Sequence, residues 1–304
     1  MTRIGDLASQ NLTLYYLGQL QARSNAEQMQ ISSELKADRY KGIASDAPRI
    51  VSLENGVTRA RQFVDSNNQL LGRLKQTELL VRNVFDLAQR ARSDLLSALS
   101  REQFDNLLTQ GAASTLQEVA GALNSTDGNR YLFSGGRTNT APVDLSTLPP
   151  DGIFVGTAAS YYYRGDTQIL SARVSPEVTV AHGVTADEQG FEETVRALQM
   201  IATVDTSDPV AARATLDAAL GILDQAITDL PGIVARIGAS QVSLERNTEQ
   251  HSAFILGAET EITRLQNTDV AEVATRLSAD RNTLEASYAA LARLRSLSLV
   301  DFLR

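Results

Sequence analysis

The fifty residues 216–265, LDAALGILDQAITDLPGIVARIGASQVSLERNTEQHSAFILGAETEITRL, decide the fold. Alternating steps of three and four pick out Leu216, Leu220, Leu223, Ile227, Leu230, Val234, Ile237, Gln241, Leu244, Thr248, His251, Ile255, Ala258, Ile262 and Leu265. Twelve of these 15 are apolar, against about 6.5 expected from the chain average of 43%. The same steps from residue 50 give Ile50, Leu53, Val57, Ala60, Val64, Asn67, Leu71, Leu74, Glu78, Val81, Phe85, Ala88, Arg92, Leu95 and Leu99, again twelve apolar of 15. A repeat of 3.5 residues held this long specifies long supercoiled helices. At 1.5 Å per residue each seam is roughly 75 Å long, which predicts a rod.

The chain reverses between the seams, so they should pair antiparallel. Matching their ends sets residue i opposite residue 315 − i. Asn67 then faces Thr248, and Val64 faces His251. A buried polar group without a partner costs about 1–3 kcal/mol, so a polar match favours this register. Glu78 and Arg92 interrupt the stripe, and their stems are expected to lie along it with their charges in water. Asn67, Gln241, Thr248 and His251 read as packed polar insertions that fix register.

Other helices frame these two. Asp208-Pro209 suits a cap and a first helical position, whereas Pro231-Gly232 predicts a kink or break. Phe104 to Leu123 repeats at helical spacing and is stopped by Asp127-Gly128-Asn129; 191–204 forms a fourth helix. Residues 4–35 carry a diluted stripe through Gln10, Leu14, Leu17, Gln21, Ser24, Gln28, Ile31 and Leu35. From 270 the apolar set is Val270, Val273, Leu277, Leu284, Tyr288, Leu291 and Leu294. Between the helical halves, eight of 19 glycines fall in 128–190 and four of seven prolines in 142–176. That stretch reads as turns and short strands at 161–164, 168–174 and 178–182.

Composition narrows the function. There is no Cys among 304 residues, which excludes disulfides, thiolate metal sites and a cysteine nucleophile. A net charge of −8 argues against nucleic acid and anionic membrane as partners. No secretory signal peptide and no membrane span are read. Glu192-Glu193 read as charges set against the dipole of a helix start, not as catalytic carboxylates. Gly135-Gly136 lacks the Lys-Ser/Thr of a phosphate loop. Arg164-Gly165-Asp166 is the tripeptide of adhesion ligands and reads here as a turn after a strand. No catalytic, cofactor-binding or metal constellation is found, and no enzyme is expected.

Three stretches together resemble the bacterial flagellin superfamily. They are Asn267-Thr268-Asp269-Val270-Ala271-Glu272-Val273-Ala274-Thr275-Arg276-Leu277-Ser278 with the closing Leu297-Ser298-Leu299-Val300-Asp301-Phe302-Leu303; Asp127-Gly128-Asn129-Arg130-Tyr131-Leu132-Phe133-Ser134-Gly135-Gly136-Arg137-Thr138; and Tyr163-Arg164-Gly165-Asp166. The second and third resemble most the members that join hook to filament. The stretch 35–48 departs from the family pattern, ending in Asp46-Ala47-Pro48 where the family usually has Asp-Asp-Pro.

The resemblance implies a mainly α fold, an elongated antiparallel rod built by both halves of the chain with a small central β-rich insert. The expected domains are 1–45 with 267–304 for inner-tube assembly, 46–137 with 184–266 as the long-helix core, and 138–183 as the insert, which would project outward. It implies a structural, extracellular flagellar protein exported through the type III channel without a cleaved signal. Its partners would be copies of itself in a ring, an adjacent hook-associated protein, filament flagellin and a cytosolic export chaperone. The assembly surface is expected at Leu7, Leu14, Leu17, Ile31, Val273, Leu277, Leu284 and Leu291, and the chaperone handle at Leu294, Leu297, Leu299, Phe302 and Leu303. A filament flagellin is the alternative within the family. A coiled-coil signalling module is the alternative outside it, and leaves the β insert unexplained.

Overall fold

The computed structural model describes the backbone of residues 2–102 and 104–302, and the side chains of 11–102 and 104–293. Seven helices dominate these residues: α1 Thr2–Ser33, α2 Ala47–Arg101, α3 Asn106–Leu123, α4 Ala159–Tyr162, α5 Gln189–Ala202, α6 Pro209–Gln266 and α7 Val270–Phe302. Two antiparallel hairpins complete the fold, β1 Thr126–Asp127 with β2 Arg130–Tyr131, and β3 Ser171–Arg173 with β4 Thr179–Ala181. The mainly α class with small central sheets is as expected. The chain divides into two compact units, Met1–Ala60 with Ala253–Arg304, and Arg61–Ser252.

In the 61–252 unit the long helices pair antiparallel in the expected register. The Phe63 and His251 rings stack with centroids 5.1 Å apart. Gln241 donates to Glu78 at 2.9 Å, and Arg92 pairs with Asp224. These contacts keep to the 315 − i rule within about one helical turn.

The buried faces correct the stripe in detail. On α2 the second column of the seam is Leu70, Thr77, Val84 and Ala91, not Leu71, Glu78, Phe85 and Arg92. On α6 it is Ala219, Ala226 and Ile233, with Leu220, Ile227 and Val234 only partly buried beside them. A two-stranded coil buries two residues in seven. These helices also meet α3, α5 and the insert, so the buried face widens to the stripe of a globular helix. Glu78 and Arg92 therefore sit at the seam's edge, where their charges find partners.

Other expectations are also corrected. Asn67 is 2% exposed, but its amide donates to the carbonyl of Val174 at 3.2 Å, so that bond, not Thr248, satisfies it. Residues 159–162 form one helical turn where a strand was read at 161–164. Glu192 sets that turn by accepting the Ala158 amide at 2.7 Å. The strand readings at 168–174 and 178–182 shrink to β3 and β4. α3 ends at Leu123, where the amide of Asn124 caps it, and Gly128-Asn129 instead turns the first hairpin. α6 runs through Pro231 unbroken. A proline inside a helix costs roughly 3 kcal/mol. Here its ring faces solvent, while Leu230 and Ile233 are buried on either side.

The core of this unit is shared between helices and insert. Phe133, Tyr162, Val174 and Val184 of the middle segment pack in one cluster with Leu74, Leu95, Leu216 and Leu223. Between 138 and 208 there are ten acidic and three basic residues. Turn geometry explains much of this excess. Asp144, Asp151, Asp166, Asp205 and Asp208 each accept the amide two residues ahead. Asp208 also accepts from Ala211, capping α6 as expected. Asp208→Ala should lower stability by about 1 kcal/mol, read as a shift of roughly 2–4 °C in the melting temperature. An unchanged melt would show that the cap is redundant.

In the other unit the stripes are narrow. Ile50 and Val57 of α2, and Ala258 and Leu265 of α6, are buried at seven-residue intervals. Arg49 pairs with Glu261 at 2.8 Å. The Lys36 amide donates to Gln266 at 2.8 Å, its ammonium to the Leu265 carbonyl at 2.9 Å, and the Thr268 amide to Glu34 at 2.9 Å. The end of α1 is thus fastened to the turn between α6 and α7.

Candidate assembly surface

α1 and α7 lie antiparallel and bury one narrow stripe between them. It contains Leu17, Ser24 and Glu27 of α1, and Val273, Leu277 and Asp280 of α7. Arg23 reaches across, with Nε 2.7 Å from Oδ2 of Asp280 and a second nitrogen 2.8 Å from Oδ1. Tyr288 donates to Gln21 at 3.2 Å and Arg281 to Gln28 at 3.1 Å. A stripe this polar explains why the terminal repeat looked diluted in the sequence.

The expected assembly residues divide. Leu17, Val273 and Leu277 are consumed inside the chain, Ile31, Leu284 and Leu291 are half-buried, and Leu14 is 50% exposed. The side chains of Leu7, Leu294, Leu297, Leu299, Phe302 and Leu303 lie outside the described residues. A second apolar set faces outward instead. Leu12, Tyr15, Tyr16, Met29 and Tyr288 are each at least half exposed. Beside it a groove of about 670 Å³ runs between the helices, lined by Tyr16, Leu17, Leu20, Arg23, Thr283 and Ser287. The repeat takes in Tyr288 but follows the inward face of α1, so Tyr15 and Tyr16 escape it. Their clustering within Leu12–Tyr16 was the available signal.

The two central motifs meet each other. Gly135 has φ 65°, and a Cβ there would stand 2.3 Å from the Asp166 carbonyl oxygen. The Gly136 amide donates to the Asp166 carboxylate at 2.7 Å, and the Asp166 amide donates to Ser134 at 3.1 Å. The Tyr163 hydroxyl donates to the Asp166 carbonyl at 2.6 Å. Phe133, fully buried, meets Phe191 edge-on at 5.8 Å. Glycines 135 and 136 and the Tyr-x-Gly-Asp turn are thus two halves of one lock. The Asp166 side chain is spent on closing the turn, as Arg164 is on pairing with Asp144 at 3.7 Å.

The charged candidates have structural uses too. Glu192 is buried and ion-paired to Arg196 at 3.4 Å. Burial pushes the Glu193 carboxyl up, against the pull of its hydrogen bond from Gln189. Backbone amides of Gly136 and Gln168 hold Asp166 below the usual carboxylate range. A depressed carboxyl contributes stability above its unfolded value, and that contribution is lost as pH falls through the folded one. The melting-temperature gap between the wild type and Asp166→Asn should therefore be constant near neutrality and close below about pH 4. A gap that persists unchanged to pH 2.5 refutes this.

Residues 220–303 match the bacterial flagellin C-terminal helical region. Over that stretch the chain is similar to flagellin. It is 23% identical to flagellar hook-associated protein 3 of Salmonella typhimurium, over 92% of this chain and 94% of the relative. Solved structures share the fold. FlgL of Xanthomonas campestris superposes with a TM-score of 0.55 at 12% identity, covering 69% of this chain and 99% of its own. FlgL of Bacillus cereus gives 0.51 at 14%, covering 64% and 98%. The flagellin likeness read from the sequence is borne out.

Proposed function

We propose that this chain is a structural protein of the bacterial flagellum that joins hook to filament. It assembles through α1 and α7 after type III export without a cleaved signal, and it performs no catalysis. Its neighbours are further copies of itself in a ring, an adjacent hook-associated protein and filament flagellin. The tail Leu294, Leu297, Leu299, Phe302 and Leu303 is the handle for a cytosolic export chaperone, since clustered apolar side chains invite aggregation unless covered.

The outward apolar set on the terminal helix pair carries this reading. Leu12, Tyr15, Tyr16, Met29 and Tyr288 lie in water in the isolated chain, beyond a stripe already used to join α1 to α7. Large apolar side chains gathered on one helix pair mark a contact surface. Intersubunit packing covers them, with Leu7, Leu14, Ile31, Leu284 and Leu291 at its margin and Leu17, Val273 and Leu277 holding the pair in shape. The whole-length similarity to hook-associated protein 3 supports the same role. Electron microscopy of a strain deleted for the chain tests it. Hooks without filaments, restored by the wild-type copy, are expected, and filaments attached in its absence overturn the proposal.

A further inference from the structure

The β3–β4 hairpin meets the long-helix pair where both helices place polar residues on their seams. Asn67 of α2 donates to the Val174 carbonyl at 3.2 Å. Nε2 of His251, on α6, stands 3.0 Å from the same oxygen. A carbonyl only accepts, so this nitrogen bears a hydrogen and donates it. One carbonyl of the insert thus serves one side chain from each half of the chain. The His251 ring is further fixed by its stack on Phe63, at an interplanar angle of 7°.

Two more contacts hold the hairpin down, and a third closes it on itself. The Val174 side chain is fully buried in the core cluster. The Val174 amide donates to Val178 at 2.9 Å, closing the hairpin end. At the other end Ser240 of α6 donates to the Ala181 carbonyl at 3.0 Å. The seam needs the hairpin as much as the hairpin needs the seam. With Val174 withdrawn, Asn67 and His251 would be polar groups on a packed stripe without this acceptor. Leaving such groups unsatisfied costs free energy that an apolar stripe would not incur.

We propose that the β3–β4 hairpin is a strap, whose docking through the Val174 carbonyl closes the α2–α6 pair at the level of Asn67 and His251. Opening the helices there and lifting the hairpin are one event. The polar seam residues make closure conditional on the strap, where leucine and phenylalanine would make it permanent. This inference concerns the chain by itself and stands whether or not the flagellar reading holds.

Amide hydrogen exchange on the full-length chain tests it with two sets of substitutions. Val174→Lys expels the strap, and exchange over 64–71 and 244–251 should rise at least tenfold. In the Asn67→Leu/His251→Phe background the seam no longer needs the strap. There the double change alone should speed exchange over 171–181 at least tenfold while 64–71 stays protected. Adding Val174→Lys should then alter 64–71 less than twofold. Exchange over 81–95 and 216–230 reports whether each variant remains folded, and Val174→Ala supplies the same comparison if the lysine disturbs those segments. An equal rise at 64–71 in both backgrounds, or no rise in either, overturns the proposal.

Discussion

Gly135→Ala should melt the 61–252 unit on the order of 10 °C below the wild type. Two costs combine. A residue with a Cβ pays about 1–3 kcal/mol to hold the left-handed conformation that Gly135 adopts at φ 65°. The methyl group must also displace the Asp166 carbonyl, 2.3 Å from its ideal position. Overpacking against backbone costs typically about 1–3 kcal/mol. Asp166 cannot retreat freely, because its amide, carbonyl and carboxylate are bonded to Ser134, Tyr163 and Gly136. The control is Gly221→Ala on α6, where a Cβ meets nothing within 4 Å. In a helix interior that change should raise stability by up to about 1 kcal/mol. Differential scanning calorimetry of the two variants should thus give shifts of opposite sign. A Gly135→Ala melt within 2–3 °C of the wild type, the effect of roughly 1 kcal/mol, would mean that the turn is not a lock.

The sequence revealed whatever depended on period and little that depended on partners. Both long helices, their antiparallel order and their register were legible, since seven heptads constrain one another. The second seam column was displaced by one residue, to 71 and 78 where 70 and 77 are buried. An apolar count chooses between adjacent columns by composition, while burial depends on how many neighbours a helix has. Leu71 and Phe85 are apolar enough to attract the stripe, yet Val84 and Leu87 are the residues buried in the shared core. The fate of Asn67 was illegible for the same reason. Its acceptor lies 107 positions away on a loop carbonyl, and no spacing rule addresses a carbonyl. Pro231 misled because local propensity cannot weigh the buried Leu230 and Ile233 that hold α6 through it. At the terminal helices the inward stripe is readable, and Tyr15 and Tyr16 escape it because they lie off it, whereas Tyr288, counted on the stripe, is half exposed.

A fragment of residues 46–266 should stay folded and monomeric, with the melting temperature of its main transition within a few degrees of the intact chain, and yet support no filament growth in a deletion strain. The argument rests on where apolar side chains are spent. Among the described residues the continuous core, from Leu70 to Leu244, draws on α2 to α6 and the insert, and on nothing from α1 or α7. Among the described residues the terminal pair buries only Leu17, Val273 and Leu277 as apolar side chains, beside Ser24, Glu27 and Asp280. At about 1.5–3 kcal/mol for each fully buried large side chain, that stripe barely offsets the entropy of ordering two helices of about thirty residues. Terminal helices so weakly held gain most from covering Leu12, Tyr15, Tyr16, Met29 and Tyr288 with another subunit. In the intact monomer, amide exchange over 11–33 and 270–293 should accordingly run at least a hundredfold faster than over 71–88, a gap of about 2.7 kcal/mol or more. The fragment is assayed by calorimetry, by sedimentation and by swimming of the complemented strain. Filament growth restored by 46–266 would remove assembly from the ends. A fragment that fails to fold would show that α1 and α7 contribute far more to the monomer than their buried stripe allows.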